Sequence, residues 1–426
     1  MRAPELKVLL IAFYFPPAGG AGVQRPLKLA SHLADLGVEM HVLAPTDPRW
    51  VHRDESRRIP AGVIVHRTPF LGPRGRMPAE ELYGRVGFER WRRKTSLFGR
   101  RLLVPDETVS WALTAIPAAL RIVRRQSIDV LITTSPPGSI NLVGASVRRA
   151  TGVPWVADLR DPLVSHPHRD TRRRTVRIKE RSLQIVAEAV ARRADAVVCV
   201  SDAIAEDMRS RNPRGRVVVI GNGADFDDFE GLDYQPSDRF LITHTGSFFG
   251  RRDPRPFLSA IAEIDDVTAR FVGDFRSVDR DWVAEHGLED RIELVPYSSH
   301  RRSLELQRDS EALLLLIPDA EGRGRHILSA KLFEYLAAGR PILAAVPEDG
   351  AAARLIRELG AGVVVAPDDV EALARVLGEL RDRWRSGGLD DIRPDAAQRR
   401  MISRRSRAEE LHRLLESIAS RSAAAT

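Results

Sequence analysis

Short apolar runs alternate along the chain with longer stretches in which apolar positions return every third or fourth residue. The runs have strand length and are apolar at nearly every position, the pattern of strands buried on both faces. The longer stretches fit the helices that would cover such a sheet. In the first half the predicted strands are KVLLIAF (7–13), VEMHVLA (38–44), VIVHR (63–67), DVLITT (129–134), VPWVAD (153–158), DAVVCV (195–200) and RVVVIG (216–221). Around residues 230–239 the polar, proline-containing GLDYQPSDRF reads as a linker. The alternation then restarts with FLITHTG (240–246), ARFVG (269–273), IELVPY (292–297), EALLLLIP (311–318), PILAAV (341–346) and GVVVAP (362–367), with no exact internal repeat. The fold class this implies is α/β, two doubly wound domains in series with a cleft between them. The expected divisions are 1–232 and 233–397, then an arginine-rich tail over 398–426 in which LHRLLESIA has amphipathic helical spacing.

One stretch carries more than fold. In HILSAKLFEYLAAGRPILAA (326–345), Ser329 suits an N-cap, Gly339 a C′ position and Pro341 a stop, which predicts a helix over 330–338. Lys331 and Glu334 then share a face. An exposed ion pair is one reading of them; a ligand site is the other.

Composition narrows the classes. At 426 residues and 43% hydrophobic, the chain can bury two cores. A formal charge of +8, with arginine well ahead of lysine, suits anionic partners. The single cysteine, Cys199, excludes an intramolecular disulfide, and its apolar setting reads as a buried strand. The opening segment is interrupted by Glu5 and Lys7 and reads as a first strand rather than a signal peptide. No apolar run approaches the ~20 residues of a membrane span. The expected setting is cytoplasmic, soluble or peripheral on the inner face of the cell membrane.

In open α/β sheets ligands bind beyond the carboxyl ends of the strands, so the loops after strands are the candidates. PPAGGAGVQR (16–25) brings Gly19, Gly20 and Gly22 ahead of a helix, an arrangement that lets backbone amides approach an anion. A dinucleotide fingerprint would need a third glycine where Arg25 stands, which counts against a cofactor-dependent oxidoreductase. SPPGSIN (135–141) offers Ser135 and Ser139, and ADLRDPLVSHPHRD (157–170) gathers Asp158, Arg160, Asp161, His166 and His168. Its carboxylates suit a proton or hydroxyl partner, and its histidines match no common metal spacing. GSFFGRRDP (246–254) places Gly246, Ser247, Arg251 and Arg252 after the first strand of the second domain, and arginine suits a diphosphate. Asp225-Phe226-Asp227 has the D-x-D form of a metal-binding motif but reads better as the approach to the linker.

Together, FPPAGGAGVQRPLKLASHLADLG, LVPDETVSW, SPPGSINLVG, PWVADLRDP, VSDAIAEDM, IGNGADFDDF, THTGSFFGRR and above all SAKLFEYLAAGRPILA resemble the GT-B-fold glycosyltransferases, most closely retaining family 4 (group 1), over nearly the whole chain. The resemblance implies two Rossmann-like domains facing across a cleft, the first holding the acceptor and the second a nucleotide-sugar. It implies that Glu334 binds the ribose hydroxyls, and that Lys331 and Arg251 stabilise the leaving diphosphate without metal or cofactor. Gly19, Gly20, Gly246, Ser247 and His326 complete the donor set; Gly22, Arg25, Ser135, Asp158 and Arg160 form the acceptor side, with Asp161 the candidate base. His326 stands where many members have a second glutamate. The backbone amides of Gly322 and Gly324, or His326 itself, are the substitutes for its contact with the transferred sugar.

The expected acceptor is a lipid-linked or cell-envelope saccharide. ELYGRVGFERWRRKTSLFGRR, with Tyr83, Phe88, Trp91 and Phe98 among arginines and Lys94, suits a membrane interface over residues 80–101, a basic lid or a solvated helix. RDTRRRTVRIKERS (169–182) adds a second basic face. A GT-B-fold nucleotide-sugar epimerase would use the same nucleotide site. Nucleic-acid binding would also suit the charge, but no such motif is present, so no nucleic-acid partner is expected.

Overall fold

The computed structural model describes residues 6–46, 53–72, 103–164, 174–248, 252–389 and 394–424. The aromatic and basic segment at 80–101, His166, His168 and Arg251 lie outside the described residues. The chain divides into two compact units, Met1–Gly221 with Arg407–Thr426, and Asn222–Ser406.

The first unit is built on a parallel sheet of strands β1 (Lys7–Ala12), β2 (Glu39–Pro45), β3 (Val63–Thr68), β4 (Val130–Ser135), β5 (Trp155–Leu159), β6 (Ala196–Cys199) and β7 (Arg216–Val219), in the order β3-β2-β1-β4-β5-β6-β7. Successive residues of β1 feed opposite faces. Leu9 and Ile11 enter one core with the helices Ala112–Gln126, Ile140–Thr151 and Arg174–Arg193, while Val8, Leu10 and Ala12 enter another with helix Gln24–Asp35. Burial on both faces explains why the strands read as continuous apolar runs.

The second unit repeats the scheme with β8 (Phe240–Thr245), β9 (Val267–Val272), β10 (Ile292–Val295), β11 (Ala312–Leu316), β12 (Ile342–Ala345) and β13 (Gly362–Val365), all parallel, in the order β10-β9-β8-β11-β12-β13. In each sheet the order reverses beside its first strand, between β1 and β4 and between β8 and β11. Connections on either side of such a reversal leave to opposite faces and open a crevice at the carboxyl ends.

Two expected divisions shift. The first unit ends at Gly221, ahead of the expected 232, and the polar stretch 230–239 is packed onto the second unit. Phe226 and Phe229 lie against its core. The buried Glu311 carboxylate accepts from Tyr234 Oη, Ser237 N and Leu241 N, each at 3.0 Å, and the Arg340 guanidinium sits 3.9 Å from the Tyr234 ring centroid. A buried charge must be satisfied, and here it recruits the supposed linker. The tail is not a separate piece either. Helix Arg404–Ala424 sets Ala408, Leu411, Leu414, Leu415 and Ile418 into the β1 and β2 core of the first unit.

Candidate active site

The second unit's crevice forms around two glycines. Gly246 follows β8 with φ +107°, and a Cβ there would lie 2.5 Å from both Cε and Nζ of Lys331. Gly273 follows β9 with φ +127°, and a Cβ there would come within 2.9 Å of the Gly246 carbonyl carbon. Only glycine permits both the backbone and the approach. Ser247 Oγ donates to Asp274 Oδ2 at 3.0 Å and accepts from Asp274 N at 3.1 Å, which fastens the turn.

Helix Ala330–Ala338 delivers the charged pair. Its ends match the sequence reading: Ser329 Oγ caps the first turn by accepting from Lys331 N at 3.3 Å, and Gly339 closes it with φ +69°. Leu332, Phe333, Tyr335 and Leu336 bury the inner face, while Lys331 and Glu334 stay partly exposed. Tyr335 Oη accepts from Thr245 N at 2.9 Å, tying the helix to the end of β8; burial pushes its phenol up to about 12.

Lys331 Nζ lies 3.2 Å from His244 Nε2. Burial and, next, the Arg252 charge push its ammonium well below the ordinary lysine range, with Glu334 opposing. Arg252 donates to the Ser247 carbonyl at 3.3 Å, and burial lowers it too. Glu334 accepts through Oε2 from Gln307 Nε2 at 3.2 Å, and its Oε1 lies 3.2 Å from His300 Nε2. Gln307 also donates to Thr245 Oγ1 at 3.2 Å. Lys331 and Glu334 are thus each held by a different partner set rather than forming a plain surface pair. The result is a lysine and an arginine beside an oriented carboxylate, a constellation suited to an anion joined to a hydroxyl-bearing group.

Of the sequence-derived donor residues, Gly246, Ser247, Lys331 and Glu334 come together here. His326 is exposed on the short turn Arg323–His326 after β11. The amides proposed beside it are engaged internally, Gly322 N with the Asp319 carboxylate at 2.9 Å and Gly324 N with the Asp319 carbonyl at 2.8 Å. Asp225 pairs with Arg404 at 3.0 Å, which gives the D-x-D sequence a structural role. His244, His300 and Gln307 had no sequence signal of their own.

In the first unit the glycine loop 19–22 follows β1, with Gly20 at φ +85° and Gly22 against the Tyr14 ring. Arg160 braces two loops: Nη1 donates to the Gly22 carbonyl at 2.6 Å, while Nε donates to Ser135 O at 3.1 Å and Nη2 to Pro136 O at 2.9 Å. Arg25 and Asp158, expected on the acceptor side, are instead a buried pair, 5% and 1% exposed. Arg25 Nη2 donates to Asp158 Oδ1 at 2.7 Å, while the guanidinium also holds the carbonyls of Ile220 and Gly221 at 2.9 and 2.8 Å. Thr134 Oγ1 completes the Asp158 shell at 2.7 Å. Ser135 is buried as well; Asp161 remains partly exposed just beyond β5. The bidentate match of guanidinium and carboxylate explains why these charged residues sit inside.

Residues 19–223 match the family model of the glycosyl transferase 4-like domain. Solved structures of low sequence identity share the fold. Sucrose-phosphate synthase from Thermosynechococcus elongatus is 18% identical, with 98% of this chain and 97% of that one covered and a TM-score of 0.61. HepE from Anabaena, solved with UDP and glucose, is 16% identical over 97% and 100%, with a TM-score of 0.63. The trehalose-phosphate synthase of Burkholderia xenovorans, solved with glucose-6-phosphate, is 12% identical over 96% and 100%, with a TM-score of 0.59. A comparison with curated protein sequences gives no match. Residues 19–223 thus resemble a glycosyl transferase 4-like domain, and the chain shares the fold of these solved structures.

Proposed function

We propose that the protein transfers a sugar from a nucleoside-diphosphate sugar to a hydroxyl acceptor, with the donor held in the second unit. The observation that carries this reading is the placing, on one short helix, of a Lys331 side chain set against the His244 ring and a Glu334 carboxylate held by His300 and Gln307. Glu334 accepts from the two ribose hydroxyls, as a carboxylate oriented by two donors is fitted to do. Lys331 and Arg252 face the diphosphate, and the family resemblance adds Arg251, the neighbour of Arg252 in sequence. They offset the negative charge that grows on the departing nucleoside diphosphate as the glycosidic bond breaks, so the reading needs no metal ion. HepE, of like fold, was solved with UDP and with UDP-glucose, which supports a nucleotide-sugar donor.

The acceptor belongs to the first unit in this reading, with Gly19, Gly20 and Asp161 as its nearest residues and Asp161 as the candidate base. Retention of configuration and a lipid-linked or cell-envelope acceptor follow from the family resemblance, as does a cytoplasmic enzyme that meets the membrane surface through residues 80–101. The test is single-turnover sugar release from UDP-, GDP- and ADP-sugars with EDTA present. Release that survives EDTA and disappears in Lys331→Ala supports the reading. Release that EDTA abolishes removes metal independence, and release unchanged in Lys331→Ala removes the donor site.

A further inference from the structure

We infer that His244 is a positioning residue for the donor diphosphate: its Nε2 lone pair accepts a hydrogen bond from Lys331 and aims that ammonium over Gly246. The inference rests on the donor-site reading above and adds a residue to it.

His244 stands on the interior strand β8, 1% exposed, between the rings of Phe248 and Phe271 at centroid distances of 5.0 and 6.2 Å. A polar ring in an apolar slot must satisfy both nitrogens. Nδ1 lies 2.8 Å from the Leu314 carbonyl, an atom that can only accept, so Nδ1 carries the proton. That leaves a lone pair on Nε2. The atom 3.2 Å from it is Lys331 Nζ, which as an ammonium can only donate. The tautomer is therefore fixed at both ends by partners on β11 and on helix Ala330–Ala338.

The lysine stem rises from the first turn of its helix with many rotamers open to it. An acceptor at Nε2 selects the one that crosses Gly246, where the missing Cβ leaves the space it occupies. The chemistry of the acceptor matters. A carboxylate in this place would cancel the ammonium's charge, whereas a neutral imidazole orients it and leaves the charge for an anion. Among the described residues, the other charged and titratable groups facing Lys331 and His244 are Arg252, Glu334 and Tyr335. Burial first, then the Lys331 and Arg252 charges, keep the His244 ring neutral well below the ordinary histidine range, so the acceptor persists through neutral pH.

The experiment is calorimetric titration of UDP, GDP and the parent nucleosides into wild type, Lys331→Ala, His244→Phe and His244→Gln, from neutral to alkaline pH. The phenyl ring fills the slot but lacks the acceptor, and the glutamine amide oxygen reaches the Nε2 position. His244→Phe is expected to weaken diphosphate binding about tenfold or more while leaving nucleoside binding alone. It should also move the alkaline loss of diphosphate binding to lower pH, because the ammonium has lost its acceptor; His244→Gln should restore most of both. If His244→Phe matches wild type while Lys331→Ala loses diphosphate binding, His244 has no positioning role and the donor site stands. If wild type binds no nucleoside diphosphate, or Lys331→Ala binds it unchanged, the donor-site reading and this inference fall together. Should His244→Phe not fold, nitrogen NMR of histidine-labelled wild type and Lys331→Ala decides. An Nδ1–H tautomer whose Nε2 resonance shifts when Lys331 is removed supports the role; an Nε2–H tautomer, or an unmoved resonance, overturns it.

Discussion

Lys331 crosses directly over Gly246: a Cβ on the glycine would fall 2.5 Å from the lysine Nζ. The two residues come from separate elements, and each constrains the other. Gly246→Ala strains a backbone at φ +107° and drives the lysine end from its place. Because a flexible side chain yields more readily than backbone, the expected result is a folded protein with nucleoside-diphosphate affinity down tenfold or more, on the order of the free energy of one charge-assisted hydrogen bond. Titration calorimetry paired with a thermal melt checks it.

Lys331→Met separates stability from function. The ammonium is pushed down by burial and by Arg252, so in the empty protein its protonated form is disfavoured relative to the unfolded chain. Between its lowered folded value and its ordinary value the unfolded state binds the extra proton, so this group's contribution to stability rises with pH across that window. Replacing it with methionine should raise stability at neutral pH by on the order of 1 kcal/mol, erase that share of the pH dependence, and abolish diphosphate binding. Paired denaturant melts over a pH series would show this.

Arg25→Ala should act on the fold. Removing the guanidinium leaves Asp158 charged and buried and orphans the carbonyls of Ile220 and Gly221, an expected loss of about 3–5 kcal/mol. The denaturation midpoint of the first unit should drop. Nucleotide affinity of the remaining folded protein should be unchanged.

The strands were legible because sheets buried on both faces write long apolar runs. Helix Ala330–Ala338 was legible because Ser329, Gly339 and Pro341 act locally. The site's partners were not. Lys331 and His244 are 87 residues apart, and Glu334 meets His300 and Gln307 across 34 and 27, with no periodicity to join them. Arg25 and Asp158 looked like ligand groups because a charged residue in a loop after a strand gives no hint that its counter-ion is buried 133 residues away. The 230–239 stretch read as a linker because its polarity hid the buried Glu311 that holds it.

The tail offers a further check. Leu415 is fully buried in the core of the first unit. Leu415→Ala should cost about 2–5 kcal/mol, through lost burial and the cavity left behind. A freely solvated tail would show no change in the melt.

A thermal-shift panel of UDP, GDP, ADP and NAD on wild type and Glu334→Ala, with EDTA throughout, reports whether Glu334 and Lys331 form the nucleotide site. One nucleoside diphosphate is expected to stabilise the wild type despite EDTA, and Glu334→Ala to lose most of that shift. Stabilisation by NAD alone, or an equal shift in wild type and Glu334→Ala, would contradict that assignment.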